Sequence, residues 1–259
     1  VQKYPEGAPK CAETSYIEGR TYYGVPEKGP IPEETQKELI HGYLACVSYV
    51  DAQIGKLIQK LKETGLYENT SIVLWGDHGF HLGDKEIWGK HTNYEEATRV
   101  PLIFSNTGHT SGKTNSSPVN FTDIFPTLCD LTGLETPSDL DGKSLVPILK
   151  DPAEKVHQYA SSVYPHDGYW GYAIRTERYR YVTWYKARND KAWHGVRLPE
   201  EPAFTELYDY QKDPLERKNL SGDPEYRKIE QKLARWNREH TNYTQSKQFK
   251  TTHNFKKIK

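Results

Sequence analysis

The stretch that most constrains the fold runs from Ser71 to His91: Ser71-Ile-Val-Leu-Trp-Gly-Asp77-His78-Gly-Phe-His81-Leu-Gly-Asp84-Lys85-Glu-Ile-Trp88-Gly-Lys90-His91. Ser71 to Trp75 is β-branched and aromatic with no helical period, which predicts a buried strand. Gly76 ends it, so Asp77 and His78 fall at the strand's carboxyl end, where open α/β sheets gather their ligands. Few solvated loops need as many ionisable groups as His81, Asp84, Lys85, Lys90 and His91 so close to a strand end. A long helical period precedes the strand: Ile40, Tyr43, Val47, Val50, Ile54, Leu57, Ile58 and Leu61 share one face. Glu33 and Glu34 suit its first turn and Gly65 its stop. Helix then strand is the α/β alternation.

Further along, Val100 to Ser105 reads as a second buried strand, and residues 106–118 as a surface loop. Phe121 to Leu131 reads as a helix that Gly133 ends. From about residue 157 the pattern changes. Tyr159–Tyr164, Gly171–Thr176, Arg178–Tyr185 and Glu206–Tyr210 read as short strands, the middle two as a hairpin. Tyr226, Ile229, Leu233 and Trp236 form the stripe of a last helix, and residues 241–259 are expected to fray. These patterns predict an α/β domain over 1–156 and a smaller α+β subdomain with an antiparallel sheet over 157–259. Residues 1 to about 30 read as an extended arm along the surface. Lys plus Arg and Asp plus Glu are both 35, so no global field favours nucleic acid or an anionic membrane. Cys11, Cys46 and Cys129 have no disulfide or zinc spacing, and Cys46 and Cys129 read as buried thiols. No apolar run reaches membrane-spanning length. The chain opens on Val and holds no Met, and a mature fragment would explain the first of these.

Asp77 offers a hard oxygen for calcium or magnesium, while His78 leans toward softer metals. A lysine such as Lys90 beside them would meet a phosphate or sulfate oxygen. Asp77-His78-Gly79, then Lys90, then Tyr94-Glu95 and Arg99-Val100-Pro101 entering a strand, resembles the type I sulfatases of the alkaline-phosphatase superfamily. Gly29 to Pro32, Tyr43 to Gly55, Phe121 to Leu128, Asp141 to Ser144, and Glu206 to Asp209 with Asp213-Pro214 agree. Within that family the likeness is greatest to the iduronate-2-sulfatase branch, through Tyr164-Pro165 and Gly171 to Tyr181 as well.

The resemblance implies the C-terminal part of an alkaline-phosphatase-like sandwich. It implies hydrolysis of a sulfate ester, with calcium (magnesium as the variant) held partly by Asp77 and His78, and Lys90 on the sulfate. His81, Trp88, His91 and His166 are the candidates for a sugar carboxylate or ring. Arg175, Arg178 and Arg180 could bind anionic sugar or alternate with tyrosines on a solvated sheet face. The substrate implied is a glycosaminoglycan with a 2-O-sulfated uronic acid, and the location an exported or lysosomal one. The family's formylglycine arises from Cys/Ser-x-Pro-x-Arg. Here Cys11, Cys46 and Cys129 are followed four residues on by Ser15, Val50 and Gly133. An N-terminal portion or chain is therefore the expected partner, without which no turnover is expected. Two alternatives stand beside this reading: a phosphoric ester hydrolase of the same superfamily, and a non-catalytic carbohydrate-binding fragment.

Overall fold

The structure is a computed structural model describing residues 3–13, 18–105, 108, 112–187 and 201–255, with side chains to residue 244 in the last helix. Residues 106–107 and 109–111 of the expected surface loop, and 256–259 of the expected tail, lie outside them. The chain divides into two compact units. One comprises Tyr16–Lys90 and Arg99–Val156, and the other Gln2–Ser15, His91–Thr98 and His157–Lys259.

The first unit's first α-helix is α1, Glu33–Glu63, after Pro32. Glu33 and Glu34 lie at its positive end, Lys60 and Lys62 at its negative end, and Gly65 turns the chain away at φ 70°. No residue of α1 is buried; Leu44, Val47, Val50 and Leu57 are all more than half exposed. Cys46, expected to be a buried thiol, is therefore exposed. Strand β1 (Ile72–Trp75) is present as expected but is not buried, with Trp75 47% and Leu74 37% exposed. Two short strands, β2 (His81–Leu82) and β3 (Trp88–Gly89), pair antiparallel, and the single helical turn α2 (Glu95–Thr98) belongs to the second unit. Strand β4 (Leu102–Ser105) pairs antiparallel with β1, Ile72 opposite Ser105. Among the described residues these two strands form a sheet of two with no further strand beside them, and the expected burial fails in β4 too, where Ile103 is 51% exposed.

Helix α3 (Ile124–Thr132) follows a 3₁₀ turn, and Gly133 closes it at φ 69°. Asp123 is fully buried at its start. Oδ2 accepts from the Asn120 N–H at 2.7 Å and Oδ1 from the Lys143 N–H at 2.9 Å. Gly142 lies so close that a Cβ there would fall 1.9 Å from the Thr122 carbonyl oxygen. Helix α4 (Val146–Lys150) ends the unit's regular structure.

The second unit carries the antiparallel sheet β5-β6-β7-β8: Ala160–His166, Tyr169–Arg175, Tyr179–Lys186 and Phe204–Asp209. Asp167 and Gly168, at φ 49° and 73°, make the two-residue turn between β5 and β6. Gly171 leaves room for Trp184, whose ring would lie 2.8 Å from a Cβ. Tyr226, at the end of the 3₁₀ turn before helix α5 (Arg227–Phe255), and Leu233 of that helix pack with Ile174, Tyr181 and Leu207. The helix continues to Phe255, well into the region expected to fray, where the sequence offers neither Gly nor Pro to stop it. The arm is likewise more than a surface strap. Cys11 and Ala12 are 3% exposed, and the Glu6 N–H donates to Arg217 O at 2.8 Å.

Candidate active site

Strand β1 delivers Gly76, whose N–H donates to Pro101 O at 3.2 Å, and then Asp77 and His78. Asp77 Oδ1 accepts from the His78 N–H at 3.0 Å. His78 Nδ1 lies 2.8 Å from Gly79 O. A carbonyl can only accept, so in the neutral ring the proton sits on Nδ1 and Nε2 keeps its lone pair. Nε2 is 3.6 Å from Asp77 Oδ2. Two electron-rich atoms thus face each other at the strand end, with the Asp77 side chain 85% exposed and that of His78 39%. This donor pair suits one side of a divalent cation. No group of three or more His, Cys, Asp or Glu residues able to hold a metal occurs among the described residues. The two residues would fit a metal only as part of a larger ligand set. Beside Asp77, the side chains of Trp75, Phe121, Ile124, Phe125 and Leu128 line an apolar groove.

The loop after His78 folds tightly. Gly83, Lys85 and Glu86 take left-handed φ values of 96°, 54° and 59°. His81 and Lys85 are fully buried and Trp88 is 5% exposed. This enclosure does not fit the sugar contact expected of His81 and Trp88. Lys90 Nζ lies 3.0 Å from both Glu18 oxygens, directed at Oε1.

His91 belongs to the second unit and is exposed, its ring 6.4 Å from that of Tyr164. His166 stacks on Tyr164 at 5.6 Å and 9°, and its Nδ1 lies 3.1 Å from Cys11 O. Asn93, 5% exposed, donates to Gly171 O at 3.0 Å and accepts from Ser162 Oγ at 2.8 Å.

Of the three arginines only Arg180 is taken out of solvent; the side chains of Arg175 and Arg178 are 23% and 42% exposed. Arg180 is 1% exposed and bonds Glu216 at 2.8 Å, Glu95 at 2.7 Å and the Asn93 carbonyl. Arg175 grips Glu95 with two 2.9 Å bonds, and Arg178 grips Asp209 at 2.8 and 2.7 Å. Burial works to raise the Glu95 carboxyl, but the Arg175 hydrogen bond and the charges of Arg180 and Arg175 outweigh it and hold it at about 2. Glu206 is fully buried among the Trp184 N–H and the Tyr94 and Tyr208 hydroxyls, and burial keeps its carboxyl raised despite them. Sequence reasoning missed Glu18, Asn93 and this network. The arm that carries Glu18 shows no period or motif to single it out.

Comparison with known proteins supports the resemblance. The Sulfatase family model matches residues 2–134, and the model "N-sulphoglucosamine sulphohydrolase, C-terminal" matches 83–242. A sulfatase of Formosa agariphila is 35% identical over 70% of this chain and 32% of its own length. A Δ4,5-hexuronate-2-O-sulfatase of Bacteroides thetaiotaomicron is 32% identical over 76% of this chain and 40% of its own. The Homo sapiens iduronate 2-sulfatase is 27% identical over 85% of this chain and 52% of its own. A solved structure in complex with its substrate, D-glucosamine-2-N,6-O-disulfate, superposes with a TM-score of 0.66 at 33% identity, over 77% of this chain and 40% of that one. The phosphonate monoester hydrolase of Silicibacter pomeroyi does so with 0.68 at 29%, over 92% and 50%. The chain spans about a third to a half of the length of these relatives. It has the alkaline-phosphatase-like fold of the sulfatases, with helices beside antiparallel strands. With one sulfatase model covering 2–134 and a second reaching 242, the chain belongs to the sulfatase family, the type I sulfatases of the alkaline-phosphatase superfamily.

Proposed function

We propose that this chain is the C-terminal part of a sulfuric ester hydrolase that removes a 2-O-sulfate from a uronic acid of a glycosaminoglycan. The observation that carries the reading is the donor pair at the end of β1, Asp77 Oδ2 and His78 Nε2, 3.6 Å apart. In this reading they hold a calcium ion, with magnesium as the variant, together with ligands from an N-terminal portion. A cation there supplies positive charge to the sulfate oxygens. Lys90 binds a sulfate oxygen, neutralises charge as it builds toward the transition state, and eases departure of the sugar oxygen. The N-terminal portion brings the formylglycine nucleophile. It also covers apolar surface that the described residues leave open, including Val47, Val50, Trp75, Phe121 and Phe125. The uronate choice rests on the hexuronate and iduronate relatives, and the protein is an exported or lysosomal one. No helix among the described residues is long and apolar enough to cross a membrane.

The test uses the complete protein, this chain with its N-terminal portion, and a 2-O-sulfated uronate disaccharide. Asp77→Asn, His78→Ala and Lys90→Ala are each expected to lower kcat/KM by about a hundredfold or more. Sulfate release unaffected by Lys90→Ala would sink the assignment. The second reading, a phosphoric or phosphonic ester hydrolase, draws on the likeness to the Silicibacter pomeroyi enzyme. A kcat/KM for phosphonate monoesters exceeding that for every sulfate ester would favour it.

A further inference from the structure

Glu18 sits on a 3₁₀ turn, Glu18–Thr21, built to present it. Thr21 Oγ1 donates to Glu18 O at 2.8 Å. Arg20 holds the following chain through Pro26 O at 2.7 Å and Gly29 O at 2.5 Å. Gly19 lets the turn close on β3, where a Cβ would be only 3.0 Å from Trp88 Cβ. Trp88 is buried two residues before Lys90, so turn and lysine share one rigid contact. Lys90 Nζ then stands 3.0 Å from both oxygens, with the Glu18 side chain 19% exposed and that of Lys90 29%. Glu18 Oε2 is buried and accepts no directed hydrogen bond from the described residues, so its interaction with Lys90 is one of charge.

We propose that Glu18 is a specificity-determining residue: it cancels the charge of Lys90, so that the site takes an ester group with one negative charge and disfavours one with two. The inference rests on the sulfuric ester reading above. A lone lysine attracts a dianion more than a monoanion. A carboxylate just behind the ammonium reverses part of that preference, because its repulsion grows with the charge of the incoming group. Sulfate monoesters and phosphonate monoesters carry one charge, whereas phosphate monoesters carry two above about pH 6. At an effective dielectric near 20, one extra like charge about 6 Å away changes affinity by roughly a hundredfold. Partial exposure of the pair reduces this to about tenfold.

The test compares 4-nitrophenyl sulfate, 4-nitrophenyl phenylphosphonate and 4-nitrophenyl phosphate on the complete protein at about pH 8, where only the last is a dianion. In Glu18→Gln the ratio of kcat/KM for phosphate over phosphonate is expected to rise about tenfold, mainly through KM. Glu18→Asp, which keeps the charge, should hold the wild-type ratio. An unchanged ratio in Glu18→Gln, or equal losses for all three esters, overturns the proposal. So does failure of both variants to fold, which would make Glu18 a residue of the fold. Wild-type protein that cleaves none of the three and releases no sulfate from the 2-O-sulfated uronate disaccharide fails the functional reading itself, and this proposal with it. Cleavage of the sulfate ester with an unmoved ratio overturns this proposal alone.

Discussion

Arg180 is the residue whose removal the structure predicts in most detail. Its guanidinium is 1% exposed and spans two carboxylates, Glu216 at 0% and Glu95 at 16% side-chain exposure. It also bonds the Asn93 carbonyl, Thr98 Oγ1 at 3.1 Å and the Tyr210 hydroxyl at 2.6 Å. Arg180→Met keeps the apolar stem and removes the charge. Glu95 retains Arg175, but Glu216 loses the guanidinium and keeps the hydrogen bonds of Tyr210 and of the Glu95 N–H, the latter at 3.1 Å. Breaking a buried pair from one side costs about 3–5 kcal/mol, because a buried charge is left behind. Urea unfolding, followed by the fluorescence of buried Trp184, measures the loss.

Two controls separate charge from packing. Arg180→Met with Glu216→Gln should recover at least about 2 kcal/mol over the sum of the single changes, since the two share one contact. Arg180→Lys should recover little, because one ammonium cannot span both carboxylates and the carbonyl. A loss below about 1 kcal/mol for Arg180→Met, or strict additivity in the double variant, would refute the reasoning.

Glu95 predicts an acid limb: its folded pKa of about 2 lies below the ordinary 4.5, so its contribution is present above 4.5 and is lost as pH falls toward 2. Urea midpoints at descending pH should show a shallower fall in Glu95→Gln than in wild type, and parallel falls would refute this. Gly142→Ala is expected to lower the melting temperature sharply, by the equivalent of about 2 kcal/mol or more, because its Cβ would meet the Thr122 carbonyl 1.9 Å away. A variant melting within a degree of wild type, as about 0.2 kcal/mol would give, counts against that close approach.

What was legible in the sequence is what local chemistry decides. The hairpin of β6 and β7 was readable because alternating residues flank Thr176-Glu177. Strand β7 begins at Tyr179, whose N–H donates to Thr176 Oγ1 at 2.9 Å. Gly133 and Gly65 marked helix ends because left-handed φ favours glycine. Asp77 and His78 were readable as a donor pair because they are adjacent. Burial was not so readable. The run Ser71 to Trp75 has the composition of a buried strand, yet composition cannot say what covers it, and among the described residues β4 is the one strand paired with β1. The same holds for α1, whose apolar stripe is present while no residue of it is buried. Cys46 followed that helix into solvent.

Charge pairing was the least legible part, for a different reason. Attraction between unlike charges depends on distance in space, and the pairs here join residues far apart in sequence. Glu18 and Lys90 are 72 positions apart, Glu95 and Arg180 are 85. Equal totals of 35 basic and 35 acidic residues leave no trace of which partner each will find. Burial supplies the selection: a charge removed from water must meet an opposite charge or a full set of donors. The second unit uses both solutions. Arg180 meets Glu95 and Glu216, whereas Glu206 is surrounded by neutral donors, the Trp184 N–H at 2.6 Å among them. The outcome differs accordingly, with Glu95 held low by cations and Glu206 raised by burial. Lys90 and Glu18 are only partly buried and follow the first solution. Lys90, read from the sequence as a contact for a phosphate or sulfate oxygen, stands 3.0 Å from the Glu18 carboxylate, and on the proposal above that pairing bears on which ester such a site accepts.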